Sequence, residues 1–382
     1  MVMSKKLKTL ALVELAAFNI NMNETVLNLE NRNALDEPMF FGKPLGIQRY
    51  DEIKYPEFAR SYDVQLSNMW RPQEINMSSD LACYEKLNDV EKFVFESNLK
   101  FQTAGDSLLS RSIDAIKAHV TNTELEYAMN VWGLMENIHS ESYTHVLKGI
   151  TKDPKPFFDS ILEDEKLVDR MSAIIEPFNN LLDSNSDDCE KTKVFKSVLA
   201  LQIAEGVLFY TSFACSFFFA KNGKMTQNGK IIGLIKRDES EHQAITQNII
   251  KKWNNDEAEG FKDILEKHRD YIYKAYAIAL EGEQKWAEYL FSKGEMVGLT
   301  EKSLNGYSEY NVRMRLRSLG YSSEEFTKAT GKELTKTNPI PWLNKFMDSS
   351  RVQIAPQESE ITSYKKMGTE NDLGSSLGNL KF

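Results

Sequence analysis

Two Glu-x-x-His turns constrain this chain more than any other feature. Glu136 and His139 form the first turn, and Glu239 and His242 form the second. At 3.6 residues per turn, positions three apart lie on one helix face, so each turn presents a carboxylate beside an imidazole. Two such turns on facing helices supply half of the ligands of a dinuclear metal site in a helical bundle. Because most single pairs of this kind are solvated surface, the interpretation depends on the rest of the chain.

Two further carboxylates lie in apolar stretches. Asp106 is the only charged residue of 101–110, and Glu205 is the only one of 197–220. A solvent-facing position would explain Asp106 equally well. Inside a core, an ionised carboxylate needs a partner or a metal. Four carboxylates carry the charge that neutralises two divalent ions, so the four acids together are stronger evidence for a metal site than any one of them alone. An oxygen-rich shell with two imidazoles favours iron or manganese over copper or structural zinc.

Composition excludes several classes of protein. With 47 Lys+Arg and 56 Asp+Glu, the net charge is −9, which argues against a nucleic-acid surface. Cys83, Cys189 and Cys215 are widely spaced and odd in number, which is typical of reduced thiols in a cytoplasmic protein. Metal ligands must therefore be oxygen and nitrogen.

Two apolar stretches, residues 1–19 and 197–220, could be mistaken for membrane signals, but neither has the pattern of one. Glu14 interrupts the first, in residues 1–19, and no convincing cleavage site follows it. Residues 197–220 are long enough to span a bilayer, but Gln202, Tyr210 and several hydroxyl residues favour a helix buried in a bundle. We therefore expect no membrane association.

Apolar residues recur at three- and four-residue spacing along most of the chain, which predicts an all-α bundle. The predicted helices cover residues 87–120, 123–149, 155–182, 190–220, 230–253, 258–293 and 301–319. We expect an N-terminal extension at 1–36, a helical domain at 37–347, and a flexible tail at 348–382. The apolar tip of the tail suggests docking on a partner, although a frayed terminus is the simpler reading.

Aromatic residues accompany the ligand turns. Tyr143 follows His139 by one turn, about 6 Å along the helix axis, close enough for its phenol to be oxidised by a metal pair. Phe209, Phe213 and Ile235 recur near the ligand turns and could keep water away from an oxidised side chain. Ordinary core packing explains each of these residues as well.

An ordered set of short motifs resembles the small, radical-generating subunit of class Ia ribonucleotide reductases. The resemblance covers nearly the whole chain. The motifs are Glu-Pro-Met-Phe-Phe-Gly at 37–42, Trp-Arg-Pro at 70–72, Asn-Leu-Lys-Phe-Gln-Thr at 98–103, Ile-His-Ser-Glu-Ser-Tyr-Thr-His at 138–145, Phe-Ala-Cys-Ser-Phe at 213–217, Arg-Asp-Glu at 237–239 and Asn-Pro-Ile-Pro-Trp at 338–342.

The resemblance implies a ferritin-like fold with two iron ions per chain, and manganese remains possible. In this family pattern Asp106 and His139 bind one ion, Glu205 and His242 bind the other, and Glu136 and Glu239 bridge them. Tyr143 matches the tyrosine that becomes a stable radical after reaction with oxygen. Phe209, Phe213 and Ile235 match the apolar pocket around the radical.

The resemblance also implies a route out of the site. Asp238 would link His139 to the indole of Trp70, and Tyr364 in the tail would pass the oxidising equivalent to a large catalytic subunit that makes deoxyribonucleotides. The family pattern further implies a homodimer that docks on the large subunit through the C-terminal tail.

Some positions depart from the family pattern. Ala104 and Gly105 precede Asp106 where bulkier residues are usual, and Glu141 replaces a usual Arg. The chain also lacks an insertion near Asp183, and residues 1–36 are longer than expected. Two other classes remain open from the ligands alone. A di-iron oxygenase or oxidase would not need Tyr364, and an iron-storage bundle would load iron without forming a radical.

Overall fold

The computed structural model describes residues 28–29, 34–44 and 46–348. The α-helices of this part are α1 Pro56–Ser67, α2 Ser78–Tyr84, α3 Asp89–Lys117, α4 Thr123–Ile150, α5 Lys155–Asp159, α6 Glu165–Leu182, α7 Glu190–Ile203, α8 Phe209–Lys221, α9 Thr226–Asn255, α10 Lys262–Lys267, α11 Arg269–Leu290, α12 Glu301–Ser318, α13 Ser323–Thr330 and α14 Asn344–Met347. Only isolated β-bridges occur in the described ranges. The all-α prediction is confirmed.

A central group of long helices positions the ligand turns. Helix α3 packs against α4 and α8, while α9 packs against α4, α7 and α8. The inward faces carry large apolar side chains such as Phe101, Trp132 and Ile235, all fully buried. The apolar stripe at helical spacing is therefore what brings α3, α4, α7, α8 and α9 together.

Local caps explain where two of these helices begin. The Asn88 side chain accepts a hydrogen bond from the Glu91 backbone N–H, and the Glu91 carboxylate accepts one from the Asn88 backbone N–H. Asn122 caps α4 by accepting from the backbone of Leu125. Such caps satisfy backbone N–H groups that a helix leaves unpaired at its first turn, and the predicted starts lie within two residues of those observed.

Two predicted helices prove to be interrupted. The prediction at 155–182 was wrong because the Asp164 side chain caps a new helix by accepting from the Lys166 and Leu167 backbones. The prediction at 258–293 was wrong because Gly260 adopts a φ of +69° and a further break at His268 separates α10 from α11.

Helix α9 begins at Thr226 rather than at the predicted residue 230. Its first turn is capped from a distant part of the chain, since Asp80 accepts from the backbones of Gln227 and Asn228 at 3.1 and 2.8 Å. A cap supplied by a residue on α2 leaves no local pattern, which is why the start was placed too late.

The apolar segment Glu190–Lys221 is long and apolar enough to cross a membrane, but its most apolar window is wholly buried inside the bundle. The segment was predicted as one continuous helix. Instead, a π-helical turn at Ala204–Leu208 separates α7 from α8. Gly206 lies in this turn, where an added Cβ would come within 2.9 Å of the Arg315 side chain, so the turn depends on close packing from α12.

Candidate metal centre

Six residues predicted as ligands come together in the middle of the bundle. Asp106 extends from α3, Glu136 and His139 from α4, Glu205 from the π-helical turn, and Glu239 and His242 from α9. All six are fully buried. Four ionisable acids in one dry site require protons, partners or metal ions.

The ligand atoms fall into two overlapping groups, and within each group they lie within 4.8 Å of one another. The first group holds Asp106, Glu136, His139 and Glu239, and the second holds Glu136, Glu205, Glu239 and His242. Both groups share Glu136 and Glu239. A carboxylate has two oxygens, so a shared one can face two ions at once.

Both imidazoles turn the same ring nitrogen toward the shared carboxylates. His139 Nδ1 lies 3.1 Å from Glu239 Oε1 and 3.5 Å from Glu136 Oε2. His242 Nδ1 lies 3.0 Å from Glu136 Oε1 and 3.2 Å from Glu239 Oε2. His139 Nε2 faces outward, 3.2 Å from Asp238 Oδ2, and such a contact commonly orients a metal-binding imidazole.

The cluster has unused bonding capacity. Buried polar atoms are normally hydrogen-bonded, yet each of the six residues has at least one that makes no hydrogen bond to the described part of the chain. These atoms are Asp106 Oδ1, Glu136 Oε2, His139 Nδ1, both Glu205 carboxylate oxygens, Glu239 Oε1 and His242 Nε2. Hard carboxylate oxygens and imidazole nitrogens are suitable donors for a pair of divalent ions, so the residues fit a dinuclear metal site.

The pKa values of the buried residues also indicate that the cluster lacks compensating positive charge. Burial, together with neighbouring carboxylates, raises the pKa of Asp106 and Glu205 well above the usual range. Burial also opposes ionisation of Glu136, but the nearby His139 and His242 imidazoles outweigh it and lower its pKa to about 2. For His242 burial is likewise outweighed, and its pKa rises to about 9. The cluster therefore retains protons that a cation would displace.

Tyr143 lies beside the first group. Its hydroxyl donates to Asp106 Oδ2 at 2.7 Å, and the side chain is fully buried. Burial and the Asp106 charge raise its pKa well above the usual range. The neutral phenol is thus the stable form, and its proton has one carboxylate acceptor within hydrogen-bond distance.

Phe209, Phe213 and Ile235 are all fully buried. The Phe209 and Phe213 rings pack 5.9 Å apart. Phe209 also accounts for the unusual glycine before the Asp106 position, because a Cβ on Gly105 would lie 2.7 Å from Phe209 Cζ. The aromatic ring fills the space that a side chain at residue 105 would need.

A hydrogen-bonded chain leads away from the cluster. Trp70 Nε1 donates to Asp238 Oδ2 at 2.7 Å, and the same oxygen lies 3.2 Å from His139 Nε2. Arg237 donates to the other Asp238 oxygen at 3.1 Å. The predicted relay residue Tyr364 lies outside the described residues, as do most of 1–36 and nearly all of 348–382, so these parts of the prediction remain untested.

Two contacts of Trp132 at the site were not identified from sequence. Trp132 Nε1 donates to Glu136 Oε1 at 2.9 Å, and its ring stacks on His242 at 5.0 Å. Its spacing of four residues before Glu136 could have indicated this contact.

Glu141, another departure from the family pattern, is exposed and accepts a hydrogen bond from Gln73 at 2.6 Å, so solvent screens its charge.

A buried cluster of carboxylates and imidazoles, divided into two groups that share two acids on a helical bundle, defines a dinuclear metal carboxylate protein. Comparison with known proteins specifies which kind. The profile of the family described as "Ribonucleotide reductase, small chain" matches residues 48–329. The chain belongs to this family, as the small subunit of a ribonucleotide reductase, an oxidoreductase component that works with a large subunit.

Individual relatives agree with this assignment. The ribonucleoside-diphosphate reductase subunit beta of Buchnera aphidicola is 36% identical over 365 residues, covering 90% of this chain and 95% of its own length. The solved small subunit from Clostridium botulinum has a TM-score of 0.75 at 26% identity, covering 85% of this chain and 98% of its own. A dimanganese relative from Streptococcus sanguinis has a TM-score of 0.61 at 23% identity, covering 73% and 93% respectively. The predicted family and ferritin-like fold are confirmed.

Proposed function

We propose that this small subunit holds two iron ions and stores an oxidising equivalent on Tyr143. Asp106 and His139 would hold one ion, Glu205 and His242 the other, and Glu136 and Glu239 would bridge them. The observation that carries the assignment is the sharing of Glu136 and Glu239 by two ligand groups, each with unpartnered buried atoms. When bound, an iron pair would supply oxygen-dependent one-electron oxidation of a neighbouring side chain.

The tyrosine and its surroundings suit storage of a radical. Oxidation of the Tyr143 phenol releases one electron and one proton. Asp106 Oδ2, which already accepts the Tyr143 hydrogen bond at 2.7 Å, is the nearest base for the proton. Phe209, Phe213 and Ile235 are fully buried apolar side chains, and around the oxidised ring they would exclude water and so protect it from reduction.

Asp238 connects the site to the protein surface in this proposal. It accepts hydrogen bonds from Trp70 and Arg237 and contacts His139, so it can hold the indole and the imidazole in fixed orientation while an electron passes between them. Tyr364 would continue the route to the large subunit, where reduction of ribonucleotides to deoxyribonucleotides takes place.

Docking would use the C-terminal tail, 348–382, of a homodimer. The segment that precedes the tail is attached to the helices of the site, which supports this proposal. Lys236, on α9 beside Asp238, donates to the Met347 carbonyl, and the Phe346 ring stacks on Phe217 at 5.1 Å. The tail therefore begins beside the helix that carries Asp238.

Two finer assignments complete the proposal. Iron is the expected metal, and manganese is the alternative because the same ligand types accept both. The three cysteines are free thiols, which supports a reducing, cytoplasmic location.

Reconstitution tests the radical assignment. Apo protein supplied with ferrous iron and oxygen should bind two irons per chain and give an organic radical by electron paramagnetic resonance. Tyr143→Phe should retain the iron and lose the radical, whereas Tyr276→Phe, a change at another fully buried tyrosine, should retain both. A persistent radical in Tyr143→Phe would contradict the assignment.

The tail requires a separate test with the large subunit. Tyr364→Phe should keep the radical and the affinity for the large subunit but abolish deoxyribonucleotide formation. A chain ending at residue 348 should keep the radical and lose binding. Undiminished turnover by either variant would show that the route to the large subunit lies elsewhere.

A further inference from the structure

The Glu205 carboxylate differs from the other three acids of the cluster. Within the described part of the chain, Asp106 accepts from Tyr143, Glu136 from Trp132, and Glu239 is hydrogen-bonded to His242. Neither oxygen of Glu205 has a hydrogen-bond partner among the residues that the structure describes. The position of this carboxylate is therefore set by the backbone that carries it, the π-helical turn Ala204–Leu208.

Side chains from outside the turn hold its last carbonyl groups. Arg170 Nη2, from α6, donates to the Leu208 carbonyl at 3.1 Å. Thr211 Oγ1 donates to the Val207 carbonyl at 2.9 Å. Because a π-helical turn departs from the regular ladder of helix hydrogen bonds, such donors can decide whether this conformation persists.

Arg170 is itself held in one orientation. Its Nε and Nη2 atoms donate to the two Glu283 oxygens at 2.6 and 3.0 Å, and both side chains are almost fully buried. A buried ion pair is weak evidence for stability, because desolvation of two charges offsets much of their attraction. A role in fixing geometry is therefore the better explanation for this pair.

The same guanidinium packs on a ring that contacts Phe209, a residue of the predicted radical pocket. It lies 3.5 Å from the centroid of the Phe101 ring, which packs against Phe209 at 5.4 Å. One fixed group thus contacts the backbone of the turn that aims Glu205 and the ring that supports Phe209. Phe209 is the residue that directly follows the turn.

We propose that the Arg170–Glu283 pair is a positioning device that fixes the π-helical turn and so aims the Glu205 carboxylate at the metal group containing His242. Neither residue contacts the metal ligand atoms in this role. The inference rests on the proposed metal site and adds residues from α6 and α11 to its supporting structure.

The test is a titration of apo protein with Mn²⁺, in which electron paramagnetic resonance measures the free ion and hence the affinity of each binding step. Glu205→Gln identifies the step that depends on this carboxylate. In Arg170→Met combined with Glu283→Leu, both charges are removed, so no buried charge is left unpaired. We expect this double variant to fold and to weaken the Glu205-dependent step by about 10-fold to 100-fold, as loss of supporting contacts around metal ligands typically does.

Two further variants keep the result interpretable. Arg170→Lys retains a positive charge but lacks the fork that reaches Glu283 and Leu208 together, so it should weaken the same step even if the double variant fails to fold. Lys193→Met is the matched control, because Lys193 is a buried cation on α7 that donates to the Asp183 carbonyl at 2.7 Å, outside the turn. It should bind both ions with unaltered affinity.

The outcomes separate this inference from the proposed function. If the unaltered chain binds fewer than two ions, the proposed metal site itself fails. If the unaltered chain binds two ions and Arg170→Lys and the double variant bind both with native affinity, only the positioning role is overturned. Selective weakening of the Glu205-dependent step in either variant, with Lys193→Met unaffected, supports it.

Discussion

Without metal, the protein should lose stability as the pH rises from 6.5 to 8. His242 has an ordinary pKa of 6.5 that is raised to about 9 in the fold. A group with a raised folded-state pKa stabilises the fold fully below its unfolded value, and this contribution disappears as the pH rises through the folded value. Asp106, Glu205 and His139 also have raised pKa values, so they act in the same direction.

The size of the effect can be worked out for His242. Between pH 6.5 and pH 8 the unfolded chain releases this proton while the folded chain keeps most of it, which lowers the free energy of unfolding by about 1.5 kcal/mol. Glu136, whose pKa is lowered to about 2, contributes equally throughout this range. Lys236, with a pKa lowered to about 8, acts in the opposite sense above this window and sets its upper limit.

Urea unfolding of chelator-treated protein at several pH values measures the slope of the unfolding free energy against pH. With Mn²⁺ bound, the slope should reverse, because metal ligands must lose their protons to bind and affinity therefore rises with pH. His242→Gln should reduce the loss of unfolding free energy that the apo protein shows as the pH rises. His268→Asn should leave it in place, since burial lowers rather than raises the pKa of His268.

An apo protein whose stability stays level or rises between pH 6.5 and pH 8 would refute this reasoning. Such a result would mean that the six residues do not retain protons in place of metal ions. The attraction between the imidazoles and the carboxylates would then be too weak to hold the protons, and the arrangement of the candidate ligand atoms would be unaffected.

Three further predictions concern contacts around the site. Gly105→Ala should displace the Phe209 ring. The overpacking should cost about 1–3 kcal/mol of stability, partly offset by about 1 kcal/mol because alanine favours a helix more than glycine does. The radical signal should decay faster in this variant, and an unchanged lifetime would contradict the prediction. Trp132→Phe removes the indole hydrogen bond to Glu136 Oε1, which keeps only the His242 imidazole nearby, and should destabilise the apo protein by about 1.5 kcal/mol in urea unfolding, the typical worth of a hydrogen bond to a charged group. Lys236→Met should release the chain near Met347, so limited proteolysis there should accelerate, and equal cleavage rates would count against the anchor.

The positions of the candidate ligands could be predicted because they depend on local periodicity. The first Glu-x-x-His turn needs only a helix through residues 136–139, and helix α4 covers them. Asp106 and Glu205 were recognised as isolated charges in apolar stretches, and both prove to be fully buried. A pattern confined to a few turns of one helix contains this information.

Features that depend on distant residues could not be predicted in this way. The start of α9 is fixed by Asp80, and the π-helical turn is contacted by Arg170 from α6. Neither partner has a sequence position related to its target by a helical period. The pairing of Gly105 with Phe209 is similar, since a missing side chain becomes informative only when the ring that fills its space is known.

Helix α9 joins parts of the site that would otherwise be independent. It carries Glu239 and His242 on one stripe, Asp238 on the Trp70 side, and Lys236 at the attachment of the C-terminal segment. A packed helix moves as a unit, because its backbone hydrogen bonds and buried side chains resist local change. If docking at the tail displaced the chain at Met347, as the proposed function would allow, the rigid helix would carry Asp238, Glu239 and His242 with it, so the proposed relay contact and the candidate metal ligands would shift together.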